Sequence, residues 1–445
     1  MIKSITFLLG NNAASYLILF LISIIIFRSV DKSFYGLYVV MLSLFAVIEL
    51  LMTGFNDVIV RFLKDKIPLS DKQSIVFFVL FYKYFLILLF ILLSYITRQY
   101  GFFEFLIGNY NEVSALLNSF LMVVIINGIF STLISVNNCI LNSQLEYKYT
   151  ANVGLIRNLL YLLVVTTLSF YTNEYLYYLY SSILLSFGLL LCLSIKIFND
   201  FNEFSILNII KSKFSIDIGK KYIFPYAAPL SISSLLTYVK NYLPTIILGK
   251  EFSLIDVAVF SIIKTFYKSL HSLSSSFVDP MMSKFLEYKI SSDGFAKKMM
   301  TIFYGTFFLR LVLLILLTLI SQYFFILYKL ESNEINRLIF NILGIEFVLA
   351  GVMISYGLVL KLDKNTNKLF FIGLIRFSIE LLLIYLILID YGILAAALIL
   401  LLARYVETVT GYFIIRSRNI FNYTGLVIAI FIIPIGLFLY KIFSV

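Results

Sequence analysis

The sequence predicts an all-α polytopic membrane protein built from two six-helix bundles with one additional C-terminal helix, and three observations lead there. Of its 445 residues, 61% are hydrophobic and only 13% are charged, whereas a soluble domain is nearer half apolar and a quarter charged. Apolar runs of about twenty residues, the length that crosses a bilayer's hydrocarbon core as a helix, recur along the whole chain. These runs do not alternate in polarity, as the strands of a membrane β-barrel would.

Taken in order, the spans fall at about 6–28, 35–59, 75–97, 114–136, 153–172, 176–198, 222–248, 254–279, 299–322, 337–360, 369–390 and 392–415, with a further apolar segment at about 423–444. The longest polar connection, 199–221, separates an N-terminal bundle (1–198) from a C-terminal bundle (222–416), and 417–445 holds the probable extra helix. Such a linker is the expected hinge where two bundles rock against each other. Each half opens with a long helix, a short polar turn (29–33; 249–253) and a second long helix, a loose internal duplication.

Lys and Arg in the connections gather on alternate sides, which places the N-terminus in the cytoplasm and the chain in a bacterial inner membrane. The net charge of +11 is accounted for by that bias and does not call for a nucleic-acid partner. The first apolar stretch is too long for a cleaved signal peptide and has no small-residue cleavage site before Arg28. Cys139 and Cys192 read as small buried hydrophobes. Trp is absent, so Tyr must supply the interfacial belt, with Tyr175, Tyr177, Tyr178 and Tyr180 at one boundary.

Ionisable residues within the spans carry the functional information. Lys83, Arg157 and Arg376 lie within about two turns of the expected cytoplasmic ends of their helices, where long stems can reach the headgroups. Lys264, Lys268, Arg310 and Arg404 fall near mid-span, and Lys240 lies nearer the outer end of its helix. A charge at that depth costs roughly 2.5–3.5 kcal/mol on insertion scales, so these groups must face partners or a wet cavity. Arg404 and Glu407, three apart, and Arg376 and Glu380, four apart, each share a helix face, where a structural ion pair is the alternative to ligand binding. Lys264 and Lys268 also share a face, His271 extends it by a turn, and no acid lies between Asp256 and Asp279.

Lys240, Lys264, Lys268, Arg310, Arg376 and Arg404, set against Glu346, Glu380 and Glu407, give the second half a positive interior that attracts diphosphate and repels organic cations. Arg can grip phosphate with two parallel hydrogen bonds, while Lys acts as a mobile point charge. These six bases form the expected substrate-binding set. In the first half, Gly10, Asn11, Asn12 and Ser15 line the start of one helix, and Asn127, Ser131, Thr132 and Ser135 run along another. They read either as interhelical hydrogen-bonding groups or as a polar wall for sugar hydroxyls. Glu49, with Asp57 two turns on, joins Glu346, Glu380 and Glu407 as a candidate site for a coupling ion, H+ or Na+. No catalytic, metal, haem or nucleotide motif is found, so the chain reads as a transporter that needs no cofactor.

Five segments resemble the polysaccharide-transport branch of the multidrug/oligosaccharidyl-lipid/polysaccharide (MOP) exporter superfamily, and in particular the O-antigen flippases of the Wzx type. They are FRSVDKSFYGLY (27–38), TGFNDVIVRFLKD (53–65), FPYAAPLSISSLL (224–236), FVDPMMSKF (277–285) and DYGILAAAL (390–398). The resemblance covers about 1–416. It departs from the family at Lys240-Asn241-Tyr242-Leu243-Pro244, where an Asp often follows the Asn, and at Ala258, which stands where Gly36 stands in the first half. The resemblance implies a V-shaped, MATE-like transporter that alternates access. Its substrate would be an undecaprenyl-diphosphate-linked oligosaccharide, with polymerase and chain-length proteins of the same pathway as further partners beside the bilayer itself. The alternatives are a membrane polymerase or ligase of that pathway, disfavoured by the lack of an external loop longer than about twenty residues, and an exporter of another solute.

Overall fold

The computed structural model describes residues 2–64, 67–99, 110–212, 215–275, 293–362 and 366–416. Its long helices are α1 (Ile2–Ser29), α2 (Lys32–Lys64), α3 (Leu69–Gln99), α4 (Tyr110–Ser143), α5 (Tyr147–Tyr171) and α6 (Tyr175–Asp200). They continue with α7 (Phe224–Glu251), α8 (Leu254–Ser275), α9 (Asp293–Leu319), α10 (Glu334–Leu362), α11 (Thr366–Leu383) and α12 (Ile389–Ile415). Each of the twelve expected spans coincides with one of them, and no strand occurs among the described residues. The apolar segment at 423–444 and the motif at 277–285 lie outside the described residues. Among the described residues, seven segments, in α3, α4, α5, α6, α9, α10 and the continuous α11–α12 stretch, are long and apolar enough to cross a membrane. The chain is a multi-pass membrane protein.

The family-like motifs acquire physical reasons. In the α1–α2 turn, Asp31 accepts hydrogen bonds from the Ser33 amide at 2.8 Å and from the Ser33 hydroxyl, which start α2 with a negative charge at its N-terminus. The Ser33 hydroxyl in particular holds the Asp31 carboxyl below its ordinary range. Gly36 lies against the backbone of Leu254, where a Cβ would sit 1.9 Å from the carbonyl oxygen, so only glycine permits that approach. Pro225 stands in the first turn of α7, where its missing N–H is no loss. Gly392 bends the start of α12 with φ 57° and ψ −134°, a backbone conformation that side-chain-bearing residues rarely adopt.

The chain divides into two compact units, Met1–Tyr238 with Thr245–Leu254, and Val239–Pro244 with Ile255–Val445. The division falls within α7 and beside the α7–α8 turn, not in the 199–221 connection. The reason is packing: Phe204, Ile209, Ile223 and Ala227 belong to the same hydrophobic core as Phe55, Val58, Ile75, Val79 and Ile140. The connection is therefore part of the first unit, fastened to α2 and α3.

Helix pairing repeats between the units with an offset of six. In the first, α4 packs on α6, α3 on α4, α5 on α6 and α4 on α5; in the second, α10 packs on α12, α9 on α10, α11 on α12 and α10 on α11. Helix α10 is the hub of its unit, with 78% of its apolar stretch buried, against 11% for α5, which presents most of its surface outward. In lipid that outward face carries no penalty, because hydrocarbon solvates Leu as well as a protein interior does; close packing of small residues holds helices together instead. Ala395, Ala396, Ala397 and Ala403 of α12 are fully buried, and Gly411 lies against Tyr356 and Met353 of α10.

Two expectations from composition resolve by helical phase. Tyr177 and Tyr180 are exposed, as a belt requires, but Tyr175 and Tyr178 turn inward: Tyr178 donates to the Thr172 carbonyl at 3.0 Å and Tyr175 packs on Tyr35 and Tyr38. Cys139 is buried in the first unit's core, whereas Cys192 is exposed on α6.

The Gly36 contact makes a test. Gly36→Ala should destabilise the purified protein by about 1–3 kcal/mol through overpacking, read as a lower unfolding midpoint in detergent. Gly154→Ala, where an added Cβ meets nothing within 4 Å, should leave the midpoint unchanged or raise it.

Candidate functional site

Helix α8 buries Val257, Ala258, Phe260, Ile262 and Ile263, and seats Phe266 and Tyr267 against Phe340 of α10, with Tyr267 also on Phe347. That seating turns the Lys264–Lys268–His271 stripe toward a cavity of about 210 Å³, whose other walls include Glu346 and Phe347 of α10 and Arg404 of α12. Lys268 is exposed and makes no hydrogen bond or ion pair among the described residues. Lys264 is half-buried, with its ammonium 5.5 Å from the centre of the Phe260 ring, a favourable placement over the ring's negative face.

Behind the stripe lies Arg310 of α9, fully buried and without a carboxylate at ion-pair distance among the described residues. One terminal nitrogen donates to the Phe347 carbonyl at 2.8 Å and meets His271 Nδ1 at 3.0 Å; the guanidinium stacks 4.7 Å from the Phe347 ring centre. A guanidinium has only donors, so Nδ1 must accept and the proton of a neutral His271 sits on Nε2. Space for this side chain is left by Gly351 of α10, where a Cβ would stand 2.7 Å from Arg310 Cδ. Arg310 Nε has no hydrogen-bond partner among the described residues. The arginine thus anchors one end of the α8 stripe and itself lies outside the cavity wall.

Three acids of the unit, Glu346, Glu380 and Glu407, are held by two arginines. Arg404 donates through Nε to Glu346 at 2.7 Å and through a terminal nitrogen to Glu407 at 2.5 Å. Arg376 of α11, 3% exposed, donates through Nε to Glu380 at 2.8 Å, pairs with Glu407, and approaches Glu346 at 3.7 Å. The result is one network across α10, α11 and α12. Both same-helix pairs read from the sequence form, and the cross-helix bonds were not legible because they depend on how three helices are phased. Arg376 does not line the cavity; its charge is directed wholly into the network.

In the first unit Lys83 is 1% exposed and does not reach outward. It donates to Asn56 Oδ1 and, at 3.0 Å, to Ser135 Oγ on the polar face of α4. Arg157 likewise donates to Ser182 at 3.0 Å and Ser186 at 3.2 Å on α6. The polar wall of the first unit is thus used, in part, to hold buried bases. Asn11 bonds Asn152 across α1 and α5 at 2.8 Å. The side chains of Lys240, Glu49 and Asp57 lie outside the described residues.

Neither a family model nor a curated protein matches the sequence. Solved structures do. The chain is similar to a lipid II flippase MurJ in an inward-closed conformation, with a TM-score of 0.68 and 17% identity over 97% of each chain. It is similar to an inward-facing multidrug resistance MATE family transporter of the MOP superfamily, with a TM-score of 0.68 and 14% identity over 91% of this chain and 95% of that one. A third likeness, with a TM-score of 0.58 and 13% identity over 94% and 96% of the two chains, is to a MOP superfamily transporter from Pyrococcus furiosus described as having a binding pocket of reversed polarity. At such identities the likeness is one of architecture: the chain has the two-lobed helical fold of MOP and MATE transporters.

The network predicts a non-additive response. Arg376→Met leaves the buried Glu380 without a counter-charge, while Glu346 and Glu407 keep Arg404, and should cost about 3–5 kcal/mol. The double variant Arg376→Met/Glu380→Met removes base and acid together and should recover much of that loss. Unfolding midpoints in detergent check it; equal destabilisation by single and double variants would show that the pair is not coupled.

Proposed function

We propose that the chain is a flippase that moves undecaprenyl-diphosphate-linked oligosaccharide repeat units, of O-antigen or a similar surface polysaccharide, from the cytoplasmic to the periplasmic leaflet by ion-coupled alternating access. The observation that supports this most is the unequal placement of charge around the second unit's cavity. The acids there are already matched by Arg404 and Arg376, while Lys268 opens into the cavity without a carboxylate, beside Lys264 and in front of the Arg310–His271 couple. A cavity arranged in this way offers positive charge to a visiting anion and little free negative charge to a cation. A prenyl tail can stay in the bilayer while the diphosphate meets the lysines and the sugars follow.

Each base then has a separate role. Lys268 and Lys264 contact phosphate; Arg404 lines the cavity but is oriented by Glu346 and Glu407; Arg310 fixes His271, and Arg376 fixes the acids. The coupling ion, H+ or Na+, belongs with Glu346, Glu380 and Glu407. Glu380 and Glu346 also attract the Lys264 ammonium, so a diphosphate that draws Lys264 toward itself leaves three carboxylates facing two arginines alone, and the excess negative charge favours uptake of a cation. One neighbour by fold is described as a lipid II flippase. The export of an organic cation is disfavoured, since the acids such a solute would need are occupied.

The test is complementation of a flippase-null strain that carries a defined repeat-unit pathway. The wild-type chain should restore surface polysaccharide. Lys268→Glu exchanges attraction for repulsion at close range, and should reduce polysaccharide by more than about tenfold while the protein still inserts and folds; Lys268→Arg should retain it. Undiminished polysaccharide from Lys268→Glu rules out the phosphate role, and accumulation of single surface repeats would point to a polymerase instead.

A further inference from the structure

His271 is the single histidine of the chain. With Lys264 and Lys268 it occupies positions i, i+4 and i+7 of α8, which fall within an arc of about 60° on the helix surface. It is partly exposed and lines the second unit's cavity together with both lysines. Arg310 is not a residue of that wall. It holds His271 from behind at two points: one terminal nitrogen meets Nδ1 at 3.0 Å, and the other donates to the His271 carbonyl at 3.5 Å. The two nitrogens of an imidazole lie on different edges of the ring. A ring that borders the cavity and gives Nδ1 to a residue outside the wall leaves its Nε2 edge for the cavity.

The same bond decides what that edge can do. A guanidinium only donates, so Nδ1 takes part as a bare lone pair and the ring carries its one proton on Nε2. The other tautomer, or a doubly protonated ring, would set two donors against each other at this distance. Arg310 is itself fixed, by the Phe347 carbonyl at 2.8 Å and by the space that Gly351 leaves for its side chain. Whatever Nε2 meets, it therefore meets as a donor. A third ammonium at this place would add repulsion to a wall that already carries two, and a hydroxyl could rotate and accept. A locked imidazole adds a directed hydrogen bond for an anion and no further charge.

We propose that His271 is a ligand-binding residue of the cavity, whose Nε2–H donates to an oxygen of the substrate's diphosphate beside Lys268, and that Arg310 is the positioning residue that keeps the proton on Nε2. His271 and Lys268 are about 4.5 Å apart along the helix axis, close enough for both to reach one diphosphate group. The assignment rests on the anion-binding reading of this cavity and adds to it a residue that carries no charge. A histidine serving only to anchor Arg310 would need an acceptor and nothing more.

The lone histidine makes the test direct. Full-length protein in detergent, labelled with nitrogen-15 histidine, gives one pair of ring-nitrogen signals by NMR. The free protein should show a bare Nδ1 and a protonated Nε2; geranyl diphosphate should shift the Nε2 signal, and geraniol should not. Calorimetric titration with geranyl diphosphate then compares variants. His271→Leu should weaken binding about tenfold or more, as expected for one lost hydrogen bond to a charged group. His271→Gln, whose amide can accept from Arg310 and donate to the cavity, should stay within about threefold of the wild type. A proton on Nδ1, an Nε2 signal unmoved at saturating geranyl diphosphate, or equal binding by all three proteins overturns the assignment and leaves the lysines as the anion site. Absence of binding by the wild type overturns the anion-binding reading itself, and the assignment with it.

Discussion

An ionised side chain within a membrane span must be matched by the protein or opened to water, because hydrocarbon does neither. The second unit is organised by that constraint. Glu346, Glu380 and Glu407 come from three different helices, and Arg376 and Arg404 bind them into a single cluster. Such a cluster is weak evidence for net stability, since the cost of desolvation offsets much of the Coulomb gain. Its effect is on geometry. The bonds that cross between helices, Arg404 to Glu346 and Arg376 to Glu407, form only when α10, α11 and α12 hold one register, and a shift of α10 by a turn would take Glu346 away from its arginines.

Within this frame the difference between lysine and arginine matters. The arginines are inside, with fixed donors directed at carboxylates or, for Arg310, at a carbonyl and an imidazole. The lysines of α8 have compact charges on flexible stems, and Lys268 points into open space. A fork suits a permanent partner with fixed geometry; a mobile ammonium suits a ligand that arrives and departs. The unit therefore separates the charges that build it from the charges it presents.

Much of this was legible in the sequence. Runs of apolar residues anticipated the twelve long helices of the described residues and their order, because each must cross a slab of known thickness. Spacing alone placed Lys264, Lys268 and His271 on one face, and paired Arg376 with Glu380 and Arg404 with Glu407, since these are relations within single helices. What spacing could not reveal was anything between helices. A count of six bases against three acids suggested a net positive interior, but the count was blind to which base each acid would choose. Lys83 and Arg376 were near enough to helix ends to reach outward; both turn inward instead, because Asn56 and Ser135 in one case and the carboxylate cluster in the other offer partners that the lipid side lacks. The 199–221 segment looked like a free linker by its polarity, yet its few apolar residues, Phe204 and Ile209 among them, suffice to seat it in the first unit's core.

The two arrangements of charge also imply unequal mechanical roles for the helices that carry them. Helices α10, α11 and α12 share ionic bonds that reinforce one another, so they resist relative movement as a set. The bonds described between α8 and its neighbours are of a different kind: aromatic contacts of Phe266 and Tyr267 with α10, and the hydrogen bond between His271 and Arg310. Rings slide over one another at little cost, and a single neutral acceptor is more readily exchanged for another than a carboxylate is. On the contacts described, α8 is joined to α9 and α10 by rings and a neutral hydrogen bond, whereas α10, α11 and α12 are joined to one another by ion pairs.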